Sequence, residues 1–215
     1  MNRFSQSEKS HSIARALLAT KTILLLISCA FPSFAWQSEQ AGQPLRANER
    51  NEAGISKSEI PDIAVFDQDG KRTLFYSQLL KGKVVAINFV YTTCSAFCTM
   101  QGANFSELQA VLGDKLGKSV NLITITTDPE TDTPERLKTW SRAFKAKPGW
   151  TMITGEKKSI DEILKALTGD IGRKGMHSPI VLIGNVDKGV WIREYGLAEP
   201  ERLAEMIQRM ITENQ

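Results

Sequence analysis

The stretch Lys83-Val-Val-Ala-Ile-Asn-Phe-Val-Tyr-Thr-Thr-Cys94-Ser-Ala-Phe-Cys98 constrains the fold more than any other part of this chain. From Val84 to Tyr91 the side chains are apolar almost without a break, mostly β-branched or aromatic, over the length of one strand. A half-exposed strand would alternate with polar residues, so this run predicts a strand buried on both faces. Directly behind it stand Cys94 and Cys98, and then Phe105, Leu108, Val111 and Leu112 at helical spacing. That spacing predicts an amphipathic helix ending near Gly113. The cysteine pair thus falls where a strand hands over to a helix. Free N–H groups and the positive dipole end of a helix start favour thiolate over thiol, which makes this a place for reactive sulfur.

The flanking chain can be read in the same way. Residues 63–66 and 72–76 predict two strands joined at Asp67-Gln-Asp-Gly70, a hairpin-type turn signal. Residues 83–91, the cysteine helix and 120–126 then make a β-α-β unit. In Asp128-Pro-Glu-Thr-Asp-Thr-Pro134, Thr133 suits a helix N-cap and Pro134 the first helical position. Leu137, Trp140 and Phe144 supply that helix with an apolar face. A strand at 150–153, a helix at 159–167, a glycine-bearing loop at 168–178, strands at 180–183 and 190–195 and a helix at 200–211 complete the series. Trp140, Phe144 and Trp150 are assigned to the core. The order strand, helix, strand, helix, hairpin, helix describes an α/β layer of thioredoxin-like type, with an N-terminal β-hairpin added.

Charge narrows the function. The net charge is +3, from 27 basic and 24 acidic residues. Residues 1–35 hold four of the basic side chains (Arg3, Lys9, Arg15, Lys21) and one acid, Glu8, leaving 23 of each sign in the remainder. A neutral domain offers no electrostatic footprint for nucleic acid. The leader itself has a basic start, the apolar run Ile23-Leu-Leu-Leu-Ile27 and a small-x-small site at Ser33-Phe34-Ala35, which favours a secretory signal cut before Trp36. Two other readings stay open: a lipobox at Leu26-Ile27-Ser28-Cys29, and an uncleaved anchor, although the run is short of the roughly 20 residues a span needs. Any of the three exports the domain, to the periplasm or to a membrane tether facing it, where disulfides persist. Membrane association is expected only through this N-terminal segment. Residues 36–59, polar and poor in aromatics, read as a disordered tether, and 60–215 as the folded domain.

The domain has one histidine, His177, in the loop before an apolar strand. In a thioredoxin-like layer that loop lies opposite the cysteine turn. Two thiolates and an imidazole form a soft set that suits Cu(I), with zinc, which prefers a fourth ligand, as competitor.

Four motifs now stand in a specific order: Tyr91-Thr-Thr-Cys94-x-x-x-Cys98, Thr127-Asp128-Pro-Glu-Thr-Asp-Thr-Pro-Glu135, Gly149-Trp150-x-x-x-Thr154-Gly155, and His177-Ser178 before a strand. Over about residues 60–212 the chain resembles the SCO/SenC family. The resemblance implies an exported thioredoxin-like domain that carries copper, as Cu(I) or Cu(II), to the CuA site of cytochrome c oxidase. Its partner is then cytochrome c oxidase subunit II or another copper-receiving protein. Alternatively, the domain is a thiol–disulfide reductase of partner cysteines, with Cys94 and Cys98 as the redox pair. The family's copper ligands map onto Cys94, Cys98 and His177. Two positions depart from the commoner pattern: Thr99 where many members have proline, and Met176 where many have aspartate.

Plainer readings stand beside these. The cysteines would make an ordinary structural disulfide, but so short a loop gains little chain entropy. His177 would be a solvated loop residue, and Met100 and Met176, auxiliary soft ligands at most, would be packing. Asp128 either bonds near the site or shapes the turn before Pro129. Ser178–Pro179 is a candidate cis bond. The peroxiredoxin pattern Pro-x-x-x-Thr-x-x-Cys is absent, since Ile87 and Tyr91 occupy its first two fixed positions.

Overall fold

A computed structural model describes residues 55–169 and 179–212 of the chain. Among these residues seven strands form one sheet, and its organising member is β3 (Val84–Val90), buried at every position. No face of β3 is free for water, so it must be covered on both sides and flanked on both edges. It pairs in parallel with β4 (Val120–Thr126) and antiparallel with β6 (Ile180–Asn185). Outward from β4 come β5 (Trp150–Thr154), β1 (Ala64–Asp67) and β2 (Arg72–Leu74), and outward from β6 comes β7 (Val190–Tyr195). The sheet order is therefore β2-β1-β5-β4-β3-β6-β7.

The period of two in β3 sorts its side chains between two cores. Val84, Ala86 and Val90 face a core with Phe105, Leu108 and Leu112 of α1 (Phe97–Leu112), Leu137 and Trp140 of α2 (Pro134–Ala143), and Leu203, Ile207 and Met210 of α4 (Pro200–Thr212). Val85, Ile87 and Phe89 face the other, with Ile160, Ile163, Leu164 and Leu167 of α3 (Lys157–Thr168). Each fully buried side chain of this size contributes about 1.5–3 kcal/mol, which is why the central strand outweighs local propensity elsewhere. Asn88 interrupts the run and is satisfied on one side only: its Oδ1 accepts from Thr124 Oγ1 at 2.7 Å, and Trp150 Nε1 donates to the same hydroxyl at 2.9 Å, while the buried Nδ2 has no hydrogen-bond partner among the described residues.

The helix start at Thr133 is as the residues imply, with Arg136 N–H donating to Thr133 Oγ1 at 3.4 Å and Pro134 opening the helix. Three expectations are corrected. The second hairpin strand ends at Leu74, and Phe75–Leu80 coils into a π-helical turn instead of extending to 76. Side-chain acceptors explain this: Asp62 Oδ1 takes the N–H groups of Tyr76 and Ser77, and Gln78 Oε1 takes that of Leu74, so these donors need no strand partner. The coil turns Phe75, Leu79 and Leu80 into the core. Folded chain also begins ahead of residue 60, because Ile55 is buried and Lys57–Glu59 forms a 3-10 turn. Finally, α3 starts two residues before the expected 159. The leader, most of the tether and 170–178, with Met176, His177 and the Ser178–Pro179 bond, lie outside the described residues.

Gly184 of β6 stands opposite Trp191 of β7, and a Cβ there would run into the buried indole. Gly184→Ala should therefore destabilise the domain by about 1–3 kcal/mol through overpacking. A lower urea midpoint with an unchanged slope is the expected result; an unshifted midpoint would show that the indole moves aside freely.

Candidate functional site

β3 ends at Val90, α1 begins at Phe97, and six residues make the crossing. Cys94 sits within it, its N–H donating to the Tyr91 carbonyl at 3.1 Å. Cys98 is the second residue of α1 and points into the core at 7% exposure. Helical spacing alone would put both sulfurs on one helix face, but Cys94 lies ahead of the helix. The turn, not the helix, brings them together. Both are free thiols. Thr99, in the place of the commoner proline, donates its hydroxyl to the Cys94 carbonyl at 3.4 Å and closes the turn from the helix side.

The expectation of two activated sulfurs divides. Burial pushes the Cys94 thiol up, but donation from the Cys98 thiol, from the backbone amides of Cys98 and Ala96 and from the Tyr91 phenol outweighs it, and the net shift is downward. Here the helix start does what its free N–H groups imply. Cys98 goes the other way. Burial dominates, its proton is committed to Cys94, and the charges of Cys94 and Asp132 oppose a second anion, so it is pushed up to about 12. One sulfur is half-exposed with its thiolate form favoured, and the other is a buried thiol that donates to it. Exposed Phe97 and Met100 and half-exposed Tyr91 rim the turn.

The Asp128–Pro134 loop reaches the same place through Asp132. Asp128 shapes the turn: its carbonyl accepts the N–H groups of Thr131 and Asp132 at 3.1 and 2.8 Å. Asp132, fully buried, takes the Thr92 N–H on both carboxylate oxygens, at 3.1 and 3.0 Å. Thr92 Oγ1 donates to it as well, and Thr126 Oγ1 donates at 2.6 Å. Arg136 Nε donates to Thr92 Oγ1 at 3.0 Å and stands 4.0 Å from the carboxylate. The available signal was an acid flanked by threonines before a helix start, which also describes an ordinary turn.

Of the predicted site residues, the structure thus brings Cys94 and Cys98 together, and His177 lies outside the described residues. Among the described residues no group of three or more His, Cys, Asp or Glu side chains could hold a metal ion. No described helix is long and apolar enough to cross a membrane.

The SCO1/SenC family model matches residues 57–211. The chain belongs to this family. A Stutzerimonas stutzeri protein that carries copper binding in its name is 28% identical over 154 residues, 70% of each chain. The structure of Bradyrhizobium japonicum ScoI with copper bound aligns with a TM-score of 0.53 at 25% identity, over 68% of this chain and 95% of that one. BsSco, described as having a disulfide switch and as a member of the Sco family of cytochrome c oxidase assembly proteins, aligns with a TM-score of 0.58 at 24% identity, over 72% and 94%. The fold is thioredoxin-like, as the element order implied.

The divided pair makes a chemical prediction. In the reduced protein iodoacetamide should label Cys94 first. Its rate should rise with pH and level off below the ordinary cysteine value, since the thiolate is the nucleophile and the folded state favours it. Cys98 should resist labelling until the protein is denatured. Peptide mapping that found the two labelled at equal rates would contradict this arrangement.

Proposed function

We propose that this SCO1/SenC chain is an exported copper-binding protein, in which the Cys94 and Cys98 thiolates and the His177 imidazole hold copper as cargo for a copper-receiving partner. The observation that carries the reading is the reduced, hydrogen-bonded pair at the start of α1. Two sulfurs that share a proton are close enough to bind one soft ion, and displacing that proton is the ordinary cost of metal binding. The high Cys98 value makes copper loading favour alkaline conditions, because its proton must leave.

Covalent geometry supports the histidine. Gln101 Nε2, three residues after Cys98, donates to the Ile180 carbonyl at 3.2 Å. His177 stands only three residues before Ile180 in the sequence, which supports it as the third ligand. The relatives point the same way, through copper binding and cytochrome c oxidase assembly. For this chain the receiving site is taken to be CuA of cytochrome c oxidase subunit II. The neutral domain and exporting leader suit a periplasmic or membrane-tethered setting.

The asymmetry of the thiols favours a second activity. Cys94 thiolate attacks one sulfur of a partner disulfide, whose bond breaks and whose other sulfur leaves as thiolate. Cys98 then gives up its proton and attacks Cys94, releasing the first partner sulfur. The partner gains two electrons and this pair becomes a disulfide. Histidine has no part in that exchange, which separates the two activities.

Copper titration of the reduced protein should show one ion with two sulfur neighbours and one nitrogen by X-ray absorption. His177→Ala should weaken binding by more than the roughly 10–100-fold that an outer-shell partner alone is worth, yet largely spare dithiol reduction. Unchanged copper stoichiometry and affinity in that variant would remove His177 from the site.

A further inference from the structure

The hydrogen bonds around Asp132 all run towards its carboxylate, which can only accept. Thr92 Oγ1 accepts from Arg136 Nε and donates its own proton to Asp132. Thr126 Oγ1 likewise accepts the Asp128 N–H at 3.0 Å and donates to Asp132. With the Thr92 N–H shared between both oxygens, the carboxylate faces donors at every bond it makes. Such a group, fully buried, is costly to place and is sustained only by complete satisfaction. Its partners come from three places: Thr92 after β3, Thr126 at the end of β4, and Arg136 in α2. Thr92 is two residues before Cys94 and next to Tyr91, whose carbonyl and phenol both engage Cys94.

We propose that Asp132 is a positioning residue, whose carboxylate holds the Tyr91–Cys94 turn through Thr92 and so sets the spacing of the two thiols. The inference rests on the reading of Cys94 and Cys98 as the working pair. The carboxylate touches neither sulfur; it acts through the backbone and hydroxyl of Thr92. An amide replaces it poorly, because one acceptor oxygen becomes an NH2 group that faces the Thr92 N–H and forces the neighbouring hydroxyls to reorient.

The test uses the full-length reduced protein with Asp132→Asn, Thr92→Val and Thr92→Ser, each checked for folding by circular dichroism. Two readouts are taken well below the melting temperature: the Cys94-to-Cys98 alkylation ratio at fixed pH, and affinity for Cu(I) alone. Asp132→Asn and Thr92→Val should shift the alkylation ratio severalfold towards parity and weaken copper about 10–100-fold, as loss of an outer-shell partner does. Thr92→Ser, which keeps the hydroxyl, should restore both. Folded Thr92→Val protein matching the wild type in both readouts would overturn the proposal, and this pair of variants decides the matter if Asp132→Asn fails to fold. A wild type that binds no copper, with an alkylation ratio that still responds to Thr92→Val and recovers in Thr92→Ser, would retire the copper reading and leave the positioning role standing.

Discussion

Burial of β3 on both faces is the constraint from which the rest follows. Seven consecutive buried residues admit no solvated side, so helices must cover the strand above and below and other strands must flank it. A strand in that position ends inside the molecule's layered middle, and the chain that leaves it must turn at once into α1. The cysteines occupy that turn. Their partial shielding is a consequence of where the most apolar strand has to lie.

From that location comes the inequality of the two sulfurs. Cys98 is drawn inward by the first turn of α1 and becomes part of the same core as Phe105 and Leu108. Cys94, still in the crossing, keeps access to solvent and collects the donors that α1 leaves unsatisfied. One geometry serves both chemistries proposed for the pair. An accessible sulfur whose thiolate is favoured, beside a protected thiol, suits a soft metal or attack on a disulfide, and in the function proposed above His177 is what separates the two.

How much of this could be read from residues alone varied with the range of the interaction. The strand 120–126, the N-cap at Thr133 and the strand 190–195 emerged where the sequence placed them, because their signals are local: apolar runs, or a Thr-Pro pair. The turn at 75–80 did not, since it depends on Asp62, more than ten residues away, capturing two N–H groups. Ile55 looked like tether because its polar neighbours hide a single anchor that only the far side of the sheet can bury. Asp132 was visible as a letter within a motif and invisible as a buried charge. Nothing near it in sequence reveals that Thr92, forty residues earlier, is its main partner.

By itself, the sequence determined the layered α/β class, the strand-to-helix site of the cysteines and the family likeness, since each rests on periodicity or on spacing within a short segment. Only the tertiary structure decided which cysteine is favoured as thiolate and which is held as thiol, and which acid sits behind them. The first depends on how deeply the folded core buries each sulfur, the second on partners from the turn after β3, from β4 and from α2, and a linear string records neither.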